Sequence, residues 1–457
     1  MRILSAAAVA ALAACATEPA ADRPVLQTVS VTNPAGNVLS ALVAVRVEGA
    51  ESVAVRYAAA GSPLGNVTPA VVLHEGEAIL PVFGLLPGTA YELRVTAYGP
   101  GGRVEGEPLP LTTGPLPDDL PAFRAGGPSP SPGYVLFASG VYGLIIDNTG
   151  RVVWYVRFAN GPSLNFQAQP NGRYVARPAT PEQTGKLPVL EYDLLGDVSR
   201  SLGCARDLRP RFHDLIVERD GGYWIMCDEA RTMDLTTVGG MPEAQVVGTV
   251  IQHLDATGAL LFEWSPFDHF EVTDLEEASR TGASVNWTHG NAIELDRDGN
   301  LLVSFRSLSE ITKIDTRTGA VIWRMGGLRN QFGFEGPALP FRSQHGLRIS
   351  AAGELVLLDN LGEAESSRAE RYRVDDSGFA LRLAAAYAPA AATRATLGGT
   401  TQLLPDGHTL VAYGDGAAVI EYDTSGAIAW RIEGDPGYVF RAQRIQSLYH
   451  PEIGLAR

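Results

Sequence analysis

Two short sequence landmarks recur in strict alternation along most of this chain, and they constrain its fold more than any other feature. The first is a Gly-containing turn followed by an apolar strand, and it begins at Pro132, Asn171, Asp220, Asp298, Ala352 and Asp406. The second is an Asp turn leading into an aromatic or aliphatic strand, and it begins at Asp147, Asp193, Asp255, Asp315, Asp375 and Asp423. Apolar residues alternate at period two between these turns, as in half-buried β-strands.

One complete repeat runs from Asn286 to Gly327. It contains four short strands, HGNAIELD, LLVSFR, EITKID and AVIWRM, separated by turns. Such units recur about every 40–55 residues, a period typical of four-stranded propeller blades. The sequence therefore predicts an all-β chain with a six-bladed β-propeller. An elongated β-solenoid is the alternative, although its repeats are usually shorter.

The third and fourth repeats are separated by an insertion over residues 255–286 that contains the acidic run DLEEASR. Two interpretations stay open for this insertion. It is either a lid over the centre of the propeller or a solvated loop.

The first residues have the pattern of a sorting signal. Arg2 precedes an apolar run, Ile3 to Leu12, that is much too short to span a bilayer. The run ends in LAAC, which resembles the lipobox of bacterial lipoproteins, whose lipid is attached to the Cys, here Cys15. We expect a lipoprotein signal peptide over residues 1–15 and a flexible tether over 16–24. The alternative is an ordinary secretory signal. The lipobox predicts a location on the periplasmic face of a bacterial membrane, with the lipid anchor as its sole membrane contact.

The sequence pattern of residues 25–114 differs from that of the repeats and predicts a small β-sandwich. The segment GLLPGTAYELRVTAYGPGG, which contains Tyr91, resembles the penultimate strand region of fibronectin type III domains. A spacer and a module that pairs two copies into a homodimer are both open roles for it. A Pro-rich linker is expected over 115–132, and the propeller over 123–457.

Composition narrows the partners of the chain. The formal net charge is −15, and no block of Lys and Arg interleaves with aromatic residues, so nucleic acid is not an expected partner. No GxxxxGK or GxGxxG loop occurs between a strand and a helix, so no nucleotide cofactor is expected. Cys204 and Cys227 flank a loop that contains His213, and their pairing in an oxidising compartment stays open.

Three of the eight histidines hold one position in the repeat. His213 lies 8 residues before Gly221, His289 lies 10 before Gly299, and His345 lies 8 before Gly353. These positions open the innermost strands of three neighbouring blades, where side chains from different blades converge. The register therefore predicts one shared site.

The residues beside these histidines indicate which ligand the site binds. Three imidazoles suit zinc or copper. However, Arg306 follows the next strand of the same blade, and a guanidinium is unfavourable beside a bound cation. Asn291 lies two residues after His289 and is expected on the same face. Arg, Asn and imidazole N–H groups together favour an anion with several oxygens, so we expect a sulfate or phosphate ester and no metal.

The same segments resemble a known family. FHDLIVERDGGYWIM at Phe212, the stretch Asn286 to Gly327, and FRSQHGLRISAAGELVLLDN at Phe341 are similar to the bacterial arylsulfate sulfotransferases. Members of that family have a six-bladed propeller preceded by a small β-sandwich. They move a sulfuryl group from an aryl sulfate ester to a phenolic acceptor by a ping-pong mechanism, without cofactor, through a sulfohistidine intermediate.

The resemblance implies a role for each site residue. His345, in the QH motif, would be the nucleophile. His213 and His289, in the HD and HGN motifs, would transfer protons, and the division of that work between them stays open. Arg306 and Asn291 would bind the sulfonate oxygens.

Two other classes of function stay open at this point. One is a metal-dependent hydrolase or lactonase on the same scaffold. The other is a non-catalytic binding propeller, which would not require histidines in register.

Overall fold

The computed structural model describes residues 22–159, 161–178, 187–335, 340–350, 352–389 and 392–450. The signal segment predicted at 1–15, with its Cys15, and most of the tether lie outside these residues. Backbone contacts divide the chain into two units. Unit 1 comprises Met1–Asn33, Ala41–Val82 and Thr89–Thr112, and unit 2 comprises Pro34–Ser40, Phe83–Gly88 and Thr113–Arg457. Within the described ranges, no helix has both the length and the apolar character needed to cross a membrane.

The part of the chain that forms unit 1 folds into two β-sheets. Its strands are β1 (Val25–Thr32), β2 (Ser40–Glu48), β3 (Ser52–Ala59), β4 (Asn66–Val67), β5 (Val71–Val72), β6 (Glu77–Phe83), β7 (Ala90–Gly99), β8 (Gly102–Glu105) and β9 (Leu109–Thr112). One sheet has the order β1-β2-β6, and the other has the order β4-β3-β7-β8 with β5 on β3 and β9 on β7. Buried Val43, Val45 and Val47 alternate with exposed residues of β2, because successive side chains of a strand point to opposite faces.

Unit 2 is also built from strands. The first group is β10 (Ala125–Gly126), β11 (Tyr134–Ser139), β12 (Tyr142–Ile146), β13 (Val152–Arg157), β14 (Ser163–Ala168), β15 (Tyr174–Pro178), β16 (Val189–Tyr192), β17 (Val198–Leu202), β18 (Arg209–Val217), β19 (Tyr223–Met233), β20 (Ala244–Leu254), β21 (Leu260–Trp264) and β22 (Ser284–Asn286). The second group is β23 (Gly290–Leu295), β24 (Leu301–Phe305), β25 (Glu310–Ile314), β26 (Val321–Gly326), β27 (Gly333–Phe334), β28 (His345–Ile349), β29 (Glu354–Asp359), β30 (Arg368–Asp375), β31 (Ala380–Tyr387), β32 (Thr400–Leu403), β33 (Thr409–Ala412), β34 (Val419–Tyr422), β35 (Ile428–Ile432) and β36 (Ala442–Ile445). Short 3₁₀ helices occupy Thr236–Val238, Pro266–Asp268, Val272–Asp274 and Glu277–Ser279.

Within the described residues, the strands of unit 2 form six sheets. Their orders are β36-β11-β12-β13 (sheet I), β14 to β17 (sheet II), β18 to β21 (sheet III), β23 to β26 (sheet IV), β28 to β31 with β27 (sheet V), and β32 to β35 with β10 (sheet VI). The last described strand, β36, is thus the first strand of sheet I, because it pairs with β11. The first strands β36, β14, β18, β23, β28 and β32 contact one another in that cyclic order. The all-β class is confirmed, and the arrangement is propeller-like.

The recurrent Asp of the second landmark has a structural reason. In each copy its Oδ1 accepts the backbone N–H two residues later, over 2.8–3.1 Å. Such Asx turns let the chain reverse without leaving an amide unpaired. The recurrent Asp of the sequence thus reflects one type of turn, which occurs six times in the described chain.

The structure joins the Sγ atoms of Cys204 and Cys227 in a disulfide, with a Cα–Cα distance of 6.2 Å. The bond closes a loop with a sequence separation of 23, and that loop contains β18. Cys227 lies in β19 directly before Asp228, and its side chain is buried among apolar residues of sheets II and III. The disulfide therefore ties the segment before β18 to the neighbouring strand.

We expect the double variant Cys204→Ser/Cys227→Ser to lose about 3 kcal/mol of free energy of unfolding, because a loop of this length no longer restricts the unfolded chain. Urea unfolding followed by tryptophan fluorescence reports unit 2, since all six tryptophans lie in it. Reductant should destabilise the wild type by a similar amount and leave the variant unchanged. Equal stability of the wild type with and without reductant would contradict this prediction.

Candidate active site

Three neighbouring inner strands bring His213, His289 and His345 to one cavity. His213 lies within β18, His289 directly precedes β23, and His345 is the first residue of β28. The three side chains line a cavity of about 430 Å³ together with Arg306. The ring centroid of His213 lies 4.9 Å from that of His289 and 6.3 Å from that of His345. The repeat register thus leads to a set of imidazoles that face one space.

His289 and His213 form a hydrogen-bonded pair. The Nε2 atoms of the two rings are 3.2 Å apart, and Asn286 Nδ2 lies 2.6 Å from His289 Nδ1. Since the Asn286 amide donates, Nδ1 of His289 accepts and its Nε2 carries the proton. That proton points to His213 Nε2, so His213 carries its own proton on Nδ1. His213 Nδ1 is buried and has no hydrogen-bond partner among the residues that the structure describes.

His345 is held by a different contact. Its Nδ1 lies 2.8 Å from Asn360 Oδ1 and 3.1 Å from the Ser343 carbonyl oxygen. The Asn360 amide nitrogen donates to the carbonyls of Ala395 and Gly398, so its oxygen must face the imidazole. Both partners of Nδ1 are acceptors, so Nδ1 carries the proton and Nε2 keeps its lone pair. This is the tautomer that a nucleophile acting through Nε2 requires.

All three imidazoles are held in the neutral form. Burial and the adjacent Arg211 guanidinium lower the pKa of His213 and of His289 well below the ordinary value. Burial lowers the pKa of His345 from 6.5 to about 4, while the Asn360 hydrogen bond opposes that shift. Neutral imidazoles are nucleophilic and basic, so the site is prepared for nucleophilic attack and proton abstraction near neutral pH.

The backbone around the histidines is unusual. His289 has φ of +48° and Ser343, two residues before His345, has φ of +51°, in the left-handed region that costs energy for residues other than glycine. Thr288 and Thr249 fix the His289 turn, because Thr288 Oγ1 accepts the Thr249 amide and Thr249 Oγ1 accepts the Gly290 amide, each over 2.8 Å. These bonds hold the strained turn in place.

Arg306 follows β24 and lines the cavity. One terminal nitrogen, Nη2, donates to the Thr396 carbonyl over 3.1 Å, while Nε is buried and finds no partner within the described part of the chain. Burial lowers the pKa of Arg306, and nearby Asp415 partly offsets this. An anion in the cavity would satisfy both the charge and the unpaired N–H.

Asn291 lies elsewhere than the sequence predicted. It is 1% exposed and is not among the residues that line the cavity. Its amide donates to the Gln344 carbonyl over 2.6 Å, directly before His345. The register of β23 shifts between Gly290 and Ala292, so simple alternation does not carry the face of His289 to Asn291. Asn291 therefore positions the chain that leads to His345 and does not contact the cavity.

Several cavity residues escaped the sequence analysis. Arg211, Asn286, Tyr438 and Phe440 all line the cavity, and Asn286 contacts His289. Phe440 contacts the rings of both His213 and His345, at 5.7 and 6.3 Å. Their signal was present only in part, since Asn286 lies three residues before His289 and Phe440 lies two residues before the inner strand β36.

The aromatic residues near the histidines divide into two groups. Phe212 stacks on His213 at 4.1 Å and lines the cavity. Trp287, Phe305 and Phe341 are instead buried in the hydrophobic cores between sheets. The cavity wall thus presents Phe212 and Phe440 as flat apolar surfaces.

A buried ion network adjoins His213. Asp214, which follows His213, is fully buried and pairs with Arg348 at 2.9 Å and with Arg441 at 3.1 Å. Arg441 and Asn165 also donate to the His213 carbonyl, at 3.1 and 2.8 Å. Arg348 and Arg441 line a second cavity, of about 300 Å³, along the same inner strands. The network therefore connects the segment of His213 to two residues that line the second cavity.

A metal site is not apparent in this arrangement. Among the residues that the structure describes, no group of three or more His, Cys, Asp or Glu could hold a metal ion.

The lowered pKa of His345 predicts a loss of stability in acid. Between pH 6.5 and about 4 the unfolded chain binds a proton at this position that the folded protein does not bind. Stability therefore falls as the pH drops through this window, by about 3 kcal/mol from His345 alone. Urea unfolding at about pH 7 and at about pH 4 measures the loss of unfolding free energy between the two conditions. This loss should be smaller by roughly this amount in His345→Gln than in the wild type. The exposed control His450→Gln should match the wild type, and equal losses in all three proteins would contradict the expectation.

Solved structures similar to this chain share little sequence with it. A protein of unknown function from Bacteroides caccae is 12% identical, with a TM-score of 0.42, over 66% of this chain and 93% of that protein. Virginiamycin B lyase from Staphylococcus aureus is 12% identical, with a TM-score of 0.37, over 68% and 84%. The calcium-binding protein regucalcin from Agrobacterium tumefaciens is 14% identical, with a TM-score of 0.34, over 71% and 96%.

No curated protein sequence matches the chain. A family model described as arylsulfotransferase (ASST) matches residues 205–435, and this segment contains the three histidines, Arg306 and Asn360. Because the match spans half of the 457 residues, the chain belongs to the arylsulfotransferase family.

Proposed function

We propose that this protein is a nucleotide-independent aryl sulfate sulfotransferase that moves a sulfuryl group from an aryl sulfate ester to a phenol. Membership of the family supports sulfotransferase activity in general. The observation that carries the finer proposal is the contact of His345 Nδ1 with Asn360 Oδ1 at 2.8 Å. It leaves the Nε2 lone pair of a buried, neutral imidazole available in a cavity that Arg306 also lines.

In the first half-reaction, His345 Nε2 attacks sulfur and the bond from sulfur to the aryl oxygen breaks. Nδ1 keeps its proton, so the sulfonated ring is cationic, and the Asn360 and Ser343 oxygens stabilise that charge. The transition state of such transfers is loose, with charge on the peripheral and leaving oxygens. The Arg306 guanidinium, whose Nε lacks a partner, is suited to those oxygens.

The His213–His289 pair is suited to move the proton. The negative charge of a bound aryl sulfate offsets Arg211 and Arg306, which raises the pKa of the pair and lets it take up a proton. The protonated pair then gives this proton to the departing phenolate. In the second half-reaction, the acceptor oxygen attacks sulfur and the bond from sulfur to His345 Nε2 breaks. The hydrogen bond between His213 and His289 opens, which frees a ring nitrogen of the neutral pair to take the proton of the acceptor phenol. Each transfer is worth roughly 10²–10⁴-fold in rate.

The remaining features of the proposal concern architecture and location. Six sheets whose first strands contact in a cycle support a six-bladed β-propeller over residues 123–457. The two sheets of unit 1 support a fibronectin type III-like sandwich over 25–114. We place the enzyme on the periplasmic face of a membrane, anchored through Cys15. A sulfuryl donor that is not a nucleotide is an advantage at this location.

The proposal predicts that the protein releases p-nitrophenol from p-nitrophenyl sulfate, faster when phenol is added and equally fast with a chelator. His345→Ala should abolish the release, because no other described group replaces the Nε2 nucleophile. Arg306→Ala should lower kcat by about 10²–10³-fold, as expected for the loss of a donor to the transition-state oxygens. Absorbance of p-nitrophenol measures each rate.

The exposed control His450→Ala should retain the wild-type rate, and near-UV circular dichroism should show that each variant is folded. Mass spectrometry of protein treated with donor alone should find a sulfonate on the peptide with His345. An active His345→Ala variant would refute the proposed nucleophile. Loss of activity with chelator would instead favour a metal-dependent hydrolase.

Asn360→Ala should lower kcat by about 10–100-fold, since a hydrogen bond to a charged group is worth roughly 1.5–3 kcal/mol. KM should change little, because Asn360 contacts the imidazole and does not line the cavity. Nitrogen NMR of the imidazole should show both tautomers of His345 in the variant. The turn residue Asn300→Ala is the matched control, and an equal effect there would count against a positioning role for Asn360.

A further inference from the structure

A carboxylate outside the histidine cavity fastens one segment of the cavity wall. Asp415 Oδ1 accepts the backbone N–H of Thr396 over 2.7 Å and that of Leu397 over 2.9 Å. Its Oδ2 accepts the Thr396 hydroxyl over 2.5 Å, and the Asp415 N–H donates to the Leu397 carbonyl over 3.1 Å. Leu397 lines the cavity, and Asp415 is not among the residues that do. Four hydrogen bonds thus hold this segment against the loop that follows β33.

The loop approaches the segment closely because a glycine precedes Asp415. Gly414 has φ of +54°, and a Cβ atom at this position would lie 2.0 Å from the Leu397 carbonyl oxygen. A side chain there would displace the backbone, which is why glycine suits this close approach. The contact between Asp415 and the wall is therefore built into the backbone of the loop.

The fastened segment holds Arg306. Its Nη2 donates to the Thr396 carbonyl over 3.1 Å, and this is the one hydrogen bond that the Arg306 side chain makes within the described residues. Burial lowers the pKa of Arg306, and the charge of Asp415 opposes that shift, so the carboxylate lies near enough to stabilise the cation. Since Thr396 contacts both side chains, the position of the guanidinium depends on Asp415.

This indirect connection keeps the guanidinium available. An arginine that pairs directly with a carboxylate directs its N–H groups to that carboxylate, as Arg348 does to Asp214. Asp415 instead accepts amide and hydroxyl protons, and Arg306 donates to a neutral carbonyl oxygen. The guanidinium is thus held in place while its charge stays available for an anion in the cavity.

The residue that orients the nucleophile has anchors of its own. Asn360, which contacts His345, donates to the carbonyls of Ala395 and Gly398. Ser367 Oγ accepts the Ala395 N–H over 2.8 Å and so holds that end of the segment. The orientation of the imidazole is therefore fastened separately from that of the guanidinium.

We propose that Asp415 is the positioning residue for Arg306 in the proposed sulfuryl transfer, because it fixes the Thr396 carbonyl that directs the guanidinium toward the sulfonate oxygens. This inference rests on the proposed function and adds to it a residue that touches neither the substrate nor the histidines. Loss of Asp415 misplaces the group that stabilises charge and leaves His345 as it was.

A double-mutant cycle tests this assignment, with p-nitrophenyl sulfate as donor and phenol as acceptor. Asp415→Ala should lower kcat/KM by about 10–100-fold, because a misplacement of about 1 Å can cost about 10²-fold. In the Arg306→Ala background the same substitution should cost less than about threefold, since Asp415 acts through that guanidinium. Asp415→Asn should recover most of the loss, because its amide oxygen still accepts the two backbone N–H groups.

Asp423→Ala is the matched control. Asp423 directly follows β34 of sheet VI and likewise accepts two backbone N–H groups and a hydroxyl, from Ser425 and Ala427, but it does not line the cavity. Its loss should leave kcat/KM unchanged, and a loss equal to that of Asp415→Ala would overturn the assignment. Nitrogen NMR should find the wild-type tautomer of His345 in Asp415→Ala, and an altered tautomer would also overturn it.

The outcomes separate this inference from the proposed function. A wild-type rate in Asp415→Ala, an equal cost of that substitution in both backgrounds, or no recovery in Asp415→Asn overturns the inference and leaves the sulfotransferase standing. Absence of turnover in the wild type refutes the proposed function.

In that case calorimetric titration with inorganic sulfate applies the same cycle to binding. Sulfate binding that Asp415→Ala weakens in the wild type but not in the Arg306→Ala background supports the assignment. Sulfate binding that Asp415→Ala leaves unchanged, or that is undetectable in the wild type, overturns it.

Discussion

The geometry of the site depends on polar side chains that tie the inner strands together. Asp214 of β18 pairs with Arg348 of β28, and Arg441 reaches the same carboxylate from the segment before β36. Strands from separate sheets share no backbone ladder, so these side chains supply the cross-links that sheet hydrogen bonds cannot. Breaking one partner of such a buried network leaves an uncompensated charge, which is far more costly than losing a surface pair. The histidines are positioned because the strands beneath them cannot slide independently.

The electrostatics of the cavity follow from the same burial. Arginines and imidazoles compete for one desolvated space, and the arginines keep their charge because their ordinary pKa is so much higher. The imidazoles stay neutral as a consequence. In the proposed reaction, the imidazole that attacks the anionic ester is thereby kept unprotonated, while permanent cations nearby attract that ester. The positive charge that attracts an anion thus resides on the arginines, and the nucleophilic lone pairs reside on the histidines.

The sequence predicted those features that repeat. Period-two alternation and the Asp turns indicated the strands and their connections, since each depends on residues close in the chain. The register of His213, His289 and His345 indicated their convergence for the same reason. Other features depend on contacts between repeats. Asn291 was assigned by alternation, and the shift in register at Gly290 defeated that rule.

The residues that the sequence analysis did not find had no periodic signal. Arg211 lies in β18, and the register of that strand shifts between Pro210 and Leu215. Tyr438 and Phe440 come from the end of the chain, far in sequence from the histidines that they face. The Cys204–Cys227 bond likewise required a distance that spacing along the chain cannot provide. The features that could not be predicted are thus those that depend on contacts between residues far apart in the chain.

The placement of the three histidines on one cavity has a consequence for the order of events in the proposed reaction. Donor and acceptor both have to reach His345, and the cavity that it lines has a volume of about 430 Å³. In the proposed reaction the first phenol therefore has to leave before the acceptor can take its place. A first product that dissociates slowly would delay the acceptor, so the rate of product release becomes a property on which selection can act.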